Sequence, residues 1–149
     1  MTPKEYLSQI RKLKLLIEQR QKELDLLAEK NLSALSGIDY SRISVKGSRS
    51  GGAPFEQTVI KAADLGEEVA ALIRKYTDLQ HKIIGEIQAL DRPEYMQVLY
   101  ARYVENKRLE EIAHEMNYDY NYIRRLHGRA LQAFGKLEYH TKEVTQSHI

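Results

Sequence analysis

Two long stretches of the chain repeat apolar residues at alternating spacings of four and three, and this repeat limits the fold more than any other feature. In the first stretch Tyr6, Ile10, Leu13, Ile17, Leu24 and Leu27 keep the pattern, with Arg20 as the polar interruption. In the second, Val59, Ala62, Val69, Ile73, Tyr76, Ile83, Ile87 and Leu90 keep it, with Gly66 and Gln80 at the two weaker positions. Sustained repetition every 3.5 residues is the pattern of a coiled coil, narrower than the stripe of an ordinary surface helix. The signals at the chain start agree: Thr2 can cap, Pro3 suits the first helical position, and Glu5 falls in the first turn. The first helix is expected to run to about residue 35, and the second from about Glu56 to Leu90.

Between them, residues 36–55 hold four of the eight glycines, several serines, and Arg42, Lys46 and Arg49. Few apolar residues are available there to offset the entropy of ordering, so this segment reads as a mobile basic loop. It is either a solvated linker or an arm that contacts phosphate. Joined by this loop, the two helices would form an antiparallel hairpin roughly 45 Å long, at about 1.5 Å per residue. The rival arrangement pairs one or both seams with another subunit, giving a homodimer.

Composition supports a helix-rich protein. The 149 residues are 30% charged, with no Trp, two Phe and a core left to Leu, Ile, Ala and Tyr. Without cysteine there are no disulfides and no thiolate metal sites. No apolar run reaches the length of a membrane span and the N-terminal stretch is charged, so a cytoplasmic location is expected, with no membrane partner. A net charge of +2 does not imply a nucleic-acid partner, and the distribution of charge must decide.

That distribution is uneven in the C-terminal third. Asp91 can cap and Pro93 restricts Arg92 to extended backbone, so a new helix should start near Pro93 and carry Tyr95, Val98, Leu99, Arg102 and Tyr103. After a turn at 105–107, "RLEEIAHEM" reads as a short helix, "NYD" as a turn, and "YNYIRRLHGRALQAFGKL" as a longer final helix. Residues 109–126 fit a helix-turn-helix position by position. Ala113 is small where the two helices cross, while Ile112, Met116, Tyr118, Ile123 and Leu126 supply buried contacts. Asn117 stands where a left-handed backbone is needed, which Asn tolerates. Asp119 caps the final helix at the positive end of its dipole.

With Ile123, Leu126, Ala130 and Phe134 inward, the opposite face carries Tyr120, Asn121, Arg124, Arg125 and Gly128, with Arg129 and Lys136 beside it. From Tyr120 to Lys136 there are four Lys/Arg residues and no acid, whereas the preceding helix holds Glu110, Glu111 and Glu115. Such a face suits a DNA major groove: Arg offers bidentate donors to guanine, Asn can read adenine, and Tyr can touch phosphate or a thymine methyl. Gly128 would let the backbone lie close to the duplex. The alternative is an ordinary amphipathic helix with a basic outer face, and the turn chemistry together with Ala113 favours DNA binding over it.

The segment "VLYARYVENKRLEEIAHEMNYDYNYIRRLHGRALQAF" resembles region 4 of sigma-70-type factors, whose pattern of Leu-Glu-Glu-Ile-Ala followed by a basic helix forms a promoter-reading helix-turn-helix. The layout of the whole chain is similar to small phage and mobile-element proteins of Gram-positive bacteria related to the ArpU-type late transcriptional regulators. The resemblance implies an all-α fold, with a helical hairpin over residues 1–90, a helix-turn-helix domain over 91–137 and a flexible tail over 138–149. It also implies a recognition helix from Tyr120 to Arg129, with Lys107 and Arg108 as phosphate contacts at the start of the supporting helix. Asn117 stands where the family has a turn glycine, and Asp119 where it has Ser or Thr. The function implied is sequence-specific transcription regulation on double-stranded DNA, with RNA polymerase as a second partner. Nothing resembles the sigma regions that melt DNA. The competing readings are a small terminase-like packaging subunit, which also joins such a motif to coiled coils, and a helical interaction protein without DNA contact.

No enzyme motif is present. The five histidines lack HxxxH or HExxH spacing, and His127, near the inner edge of the final helix, reads as a packing or phosphate-contact residue. "GSRSGG" has neither a preceding strand nor a following Gly-Lys, so it is a poor phosphate loop. No cofactor or metal is expected.

Overall fold

The computed structural model describes the backbone of residues 1–36 and 52–146, and the side chains of 1–30 and 56–137. Arg42, Lys46 and Arg49 of the expected basic loop lie outside the described residues. The fold is all-α: α1 (Pro3–Ser36), α2 (Gly52–Gln88), α3 (Pro93–Leu99) continued by a π-helical turn (Tyr100–Val104), α4 (Leu109–Met116) and α5 (Tyr120–Gln146).

Local chemistry sets most boundaries. At the start of α1 the Thr2 hydroxyl accepts from the Glu5 N–H at 3.2 Å, and the Glu5 carboxylate accepts from the Thr2 N–H at 2.9 Å. This reciprocal capping box satisfies two donors that a helix end leaves open, and the bond from the Thr2 backbone holds the Glu5 carboxyl below its usual pKa. At α3, Arg92 rather than Asp91 is the N-cap. Pro93 forces the residue before it into extended backbone (φ −98°, ψ 121°), and no side chain closes the cap. At the other end α5 continues to Gln146, well past the point at 138 where a tail was expected.

The chain divides into two compact units, Met1–Leu13 with Tyr76–Ile149, and Lys14–Lys75. The division falls inside α1 and α2, not at the expected boundary near residue 90. The cause is the core of the first unit. Leu7, Ile10, Ile83 and Ile87 are fully buried in the same cluster as Val98, Leu99, Ile112, Ile123 and Phe134. Tyr6 also donates to the Glu86 carboxylate and lies 5.9 Å, centroid to centroid, from the Phe134 ring. The ends of the long helices therefore complete the hydrophobic core around the helix-turn-helix.

In the second unit Arg20, the polar interruption of the first repeat, reaches Glu23 at 3.3 Å and Glu68 at 3.6 Å. The seam of α2 differs from the expected register. Leu65 and Val69 are buried and Leu72 and Leu79 partly so, whereas Val59 and Ile73 are 43% and 44% exposed. The buried line steps through Ala62, Leu65, Val69, Leu72, Tyr76, Leu79 and Ile83, again by threes and fours. Leucine, with more apolar area than Gly66 or Gln80, takes the buried positions.

Between α3 and α4 the backbone departs from a regular helix. The Glu105 N–H reaches back five residues to the Tyr100 carbonyl at 3.0 Å, and the Lys107 N–H reaches six, to Ala101, at 3.0 Å. The widened turn buries Ala101 and Tyr103. Arg102 donates to the Lys107 carbonyl at 3.1 Å and ties down the following turn.

Candidate nucleic-acid interface

The turn between α4 and α5 is built by one residue's backbone. Asn117 has φ 57° and ψ 41°, the left-handed region in which Asn is among the least strained non-glycine residues. Its N–H bonds the His114 carbonyl at 3.3 Å, and the Tyr118 N–H bonds the Ala113 carbonyl at 2.9 Å. This pair of bonds is a Schellman closure, which satisfies carbonyls left open at the end of α4. Two residues later the Asp119 carboxylate accepts from the Asn121 N–H at 3.2 Å, capping α5. Ala113 is 5% exposed and Ile112 1%, so the small residue does sit at the crossing.

The inward face of α5 is closed: Ile123 and Ala130 are fully buried, Phe134 is 1% exposed and Leu126 3%. The outward face is open, with Tyr120, Asn121, Arg124, Arg125, Gly128 and Arg129 all exposed. Asn121, Arg124 and Arg125 line one shallow depression. The Arg124 guanidinium carbon lies 5.9 Å from the centre of the Tyr120 ring, close enough for a cation–π contact that orders both side chains. A Cβ placed on Gly128 would meet nothing within 4 Å, so the backbone there is open to an approaching surface. The six residues of α5 singled out from the sequence thus share one accessible face.

The two residues expected at the start of the supporting helix separate. Arg108 is exposed, and its extended backbone serves as the N-cap of α4 with no side-chain bond. Lys107 instead bridges two carboxylates, Glu115 at 2.8 Å and Glu105 at 2.9 Å, and these bonds raise its pKa. Contact between Lys107 and a phosphate would first require those pairs to open. With the Arg102 bond to its carbonyl, Lys107 holds the 105–108 turn against α4. Asn106 in that turn has φ 58°, a second left-handed residue.

Two contacts that hold α5 in place have no local sequence signature. Tyr103, 6% exposed, shares a hydrogen bond of 2.8 Å with Nε2 of His127, and the rings stack at 5.7 Å. Burial raises the Tyr103 pKa to about 12. It lowers that of His127 to about 4, with Arg102 and Lys4 adding repulsion. His127 is therefore neutral at pH 7 and fixes the inner edge of α5 to the π-helical turn. On the other flank the Tyr118 and Tyr122 rings lie 4.7 Å apart. Their hydroxyls point to the two oxygens of Glu94 on α3, at 3.5 and 3.4 Å. Tyr118, expected to be buried, is 40% exposed because its ring leans on Tyr122 at the surface.

Among the described residues no group of three or more His, Cys, Asp or Glu side chains could hold a metal ion, and no helix is long and apolar enough to cross a membrane. No protein-family model, no curated protein and no solved structure matches the chain.

Proposed function

We infer that the protein is a sequence-specific, double-stranded-DNA-binding transcription regulator of the phage or mobile-element type, reading the major groove with the first half of α5. The observation that carries this reading is the acid-free face of Tyr120, Asn121, Arg124, Arg125, Gly128 and Arg129, all exposed on a helix set by a left-handed Asn117 and an Asp119 cap. Arg124 and Arg125 would pair bidentately with guanine, and Asn121 with adenine. Arg108, free and at the foot of α4, would contact phosphate. Lys107 acts in this reading as a clasp and reaches phosphate only by exchanging a carboxylate for it. The likeness of 98–134 to sigma-70 region 4 and of the layout to ArpU-type late regulators supports transcription as the process and RNA polymerase as a further partner.

The test is a gel shift with duplex DNA from upstream of the gene's own operon and of neighbouring late operons, against shuffled duplex of equal length. A retarded band on one upstream fragment, lost in Arg124→Ala/Arg125→Ala, supports the reading. Equal retention of every duplex, or of none, contradicts it.

A further inference from the structure

A cleft of about 410 Å³ lies between the start of α3 and the C-terminal half of α5. Leu90, Ala133 and Leu137 supply its apolar lining, and Arg92, Tyr95, Lys136 and Asp91 its polar lining. None of these residues belongs to the base-reading face. The cleft thus brings Arg92, from before α3, to the same place as Lys136, forty-four positions later in the chain.

Arg92 is held there in advance. Its guanidinium carbon lies 5.5 Å from the centre of the Tyr95 ring, and Nη1 donates to the Tyr95 hydroxyl at 3.4 Å. Neither contact uses a carboxylate, so the charge is left uncompensated. Lys136 is exposed and, like Arg92, forms no ion pair among the described residues.

Arg129 adds a third cation. It is exposed and stands seven residues before Lys136, two turns away on the same side of α5. Against these three, Asp91 is the one carboxylate lining the cleft. The acid of α3, Glu94, turns its two oxygens to the Tyr118 and Tyr122 hydroxyls instead. The balance is positive and suits an anion.

The anion follows from where the cations stand on the helix. An α-helix with its side chains is about 10–12 Å wide and the major groove about 12 Å. A helix seated there turns one face to the bases and its flanks to the sugar–phosphate walls. The line from Arg129 to Lys136 lies about a quarter-turn round α5 from the line of Asn121 and Gly128. It is therefore a flank, and Arg92 widens it beyond the helix.

We propose that Arg92, Arg129 and Lys136 form a phosphate-binding edge that grips one strand of the duplex beside the groove that α5 enters, so that the start of α3 belongs to the DNA interface. The proposal rests on the reading of α5 as the DNA helix but not on its base contacts, because phosphate carries no sequence information.

Anisotropy titrations of the full chain across a salt series, on the upstream duplex and on a shuffled duplex of equal length, test it. Arg92→Ala, Arg129→Ala and Lys136→Ala should each lower the slope of log affinity against log salt by about 0.9 on both duplexes. The preference for one duplex over the other should stay at the wild-type ratio, as should the urea midpoint, since all three side chains are exposed. Lys82→Ala removes an exposed cation of α2 outside the cleft and should leave the slope alone. An unchanged slope in any of the three variants overturns the proposal, and so does an equal fall in Lys82→Ala, which marks a general charge effect. A wild type that binds both duplexes equally contradicts base reading, while the slopes still decide the edge; binding to neither duplex refutes both.

Discussion

Ile10 lies on the first long helix, more than a hundred residues before α5, yet it is fully buried in the core beneath it. Replacing Ile10 with Ala removes three carbons from a site enclosed by side chains from several helices, so the cavity can collapse only in part. Substitutions of this kind cost about 2–5 kcal/mol, against a total stability of about 5–15 kcal/mol for a domain. For a unit of this size each kcal/mol shifts the melting midpoint by about 4–8 °C, so Ile10→Ala should melt at least about 8 °C below wild type. Leu16→Ala is the control: Leu16 is on the same helix but 39% exposed, and should change stability by less than about 1 kcal/mol. Urea denaturation followed by circular dichroism, with tyrosine fluorescence as a second probe, reads both. If Ile10→Ala costs no more than Leu16→Ala, the first thirteen residues are not part of the core that holds the helix-turn-helix.

Four further outcomes follow from the geometry. Asn117→Ala should cost about 1 kcal/mol, because alanine resists the left-handed turn, while Asn117→Gly should be neutral or stabilising; urea midpoints separate the two. His127 is held at a folded pKa of about 4 against 6.5, so the unfolded chain binds its proton first as pH falls. Its contribution is complete above about pH 6.5 and is lost toward pH 4; discounted for partial exposure this is about 1–2 kcal/mol between pH 7 and 5, and His127→Gln should flatten that part of the pH–stability curve. Asp119→Ala should cost about 1 kcal/mol through loss of the α5 cap, again by urea midpoint. Arg108→Ala should reduce the slope of log affinity against log salt by about 0.9, whereas Lys107→Met should leave the slope unchanged and lower the unfolding midpoint.

The sequence is most legible where one residue's chemistry sets a local outcome. Thr2, Pro3 and Glu5 start α1, Asn117 turns the chain, Asp119 starts α5, and the period of Ile123, Leu126, Ala130 and Phe134 divides that helix into two faces. It is least legible where two registers satisfy the same rule. Along α2, Val59, Gly66 and Ile73 and their neighbours Leu65, Leu72 and Leu79 each recur every seven residues, and either set completes a three-and-four repeat with Ala62, Val69 and Tyr76, so only the packing decides which line is buried. The π-helical turn closes through bonds to Tyr100 and Ala101 and carries Tyr103 onto His127, twenty-four residues away, a contact that no local pattern announces. Lys107 reads as a free cation in sequence because Glu105 is close but Glu115 joins it only once α4 has formed. The partition of the chain into units is hidden for the same reason: Ile10 belongs to the coiled-coil repeat and to the core of the first unit together.

The central claim is that the open face of α5 reads bases. Selection of bound duplexes from a random-sequence pool, with wild type and Arg124→Ala/Arg125→Ala in parallel, tests it most directly. The wild type should enrich a defined motif containing guanine, and the double variant should lose preference at those positions by about 1–3 kcal/mol for each contact while keeping residual salt-dependent binding. Enrichment of no motif by the wild type, or of the same motif with equal preference by the double variant, would contradict the assignment.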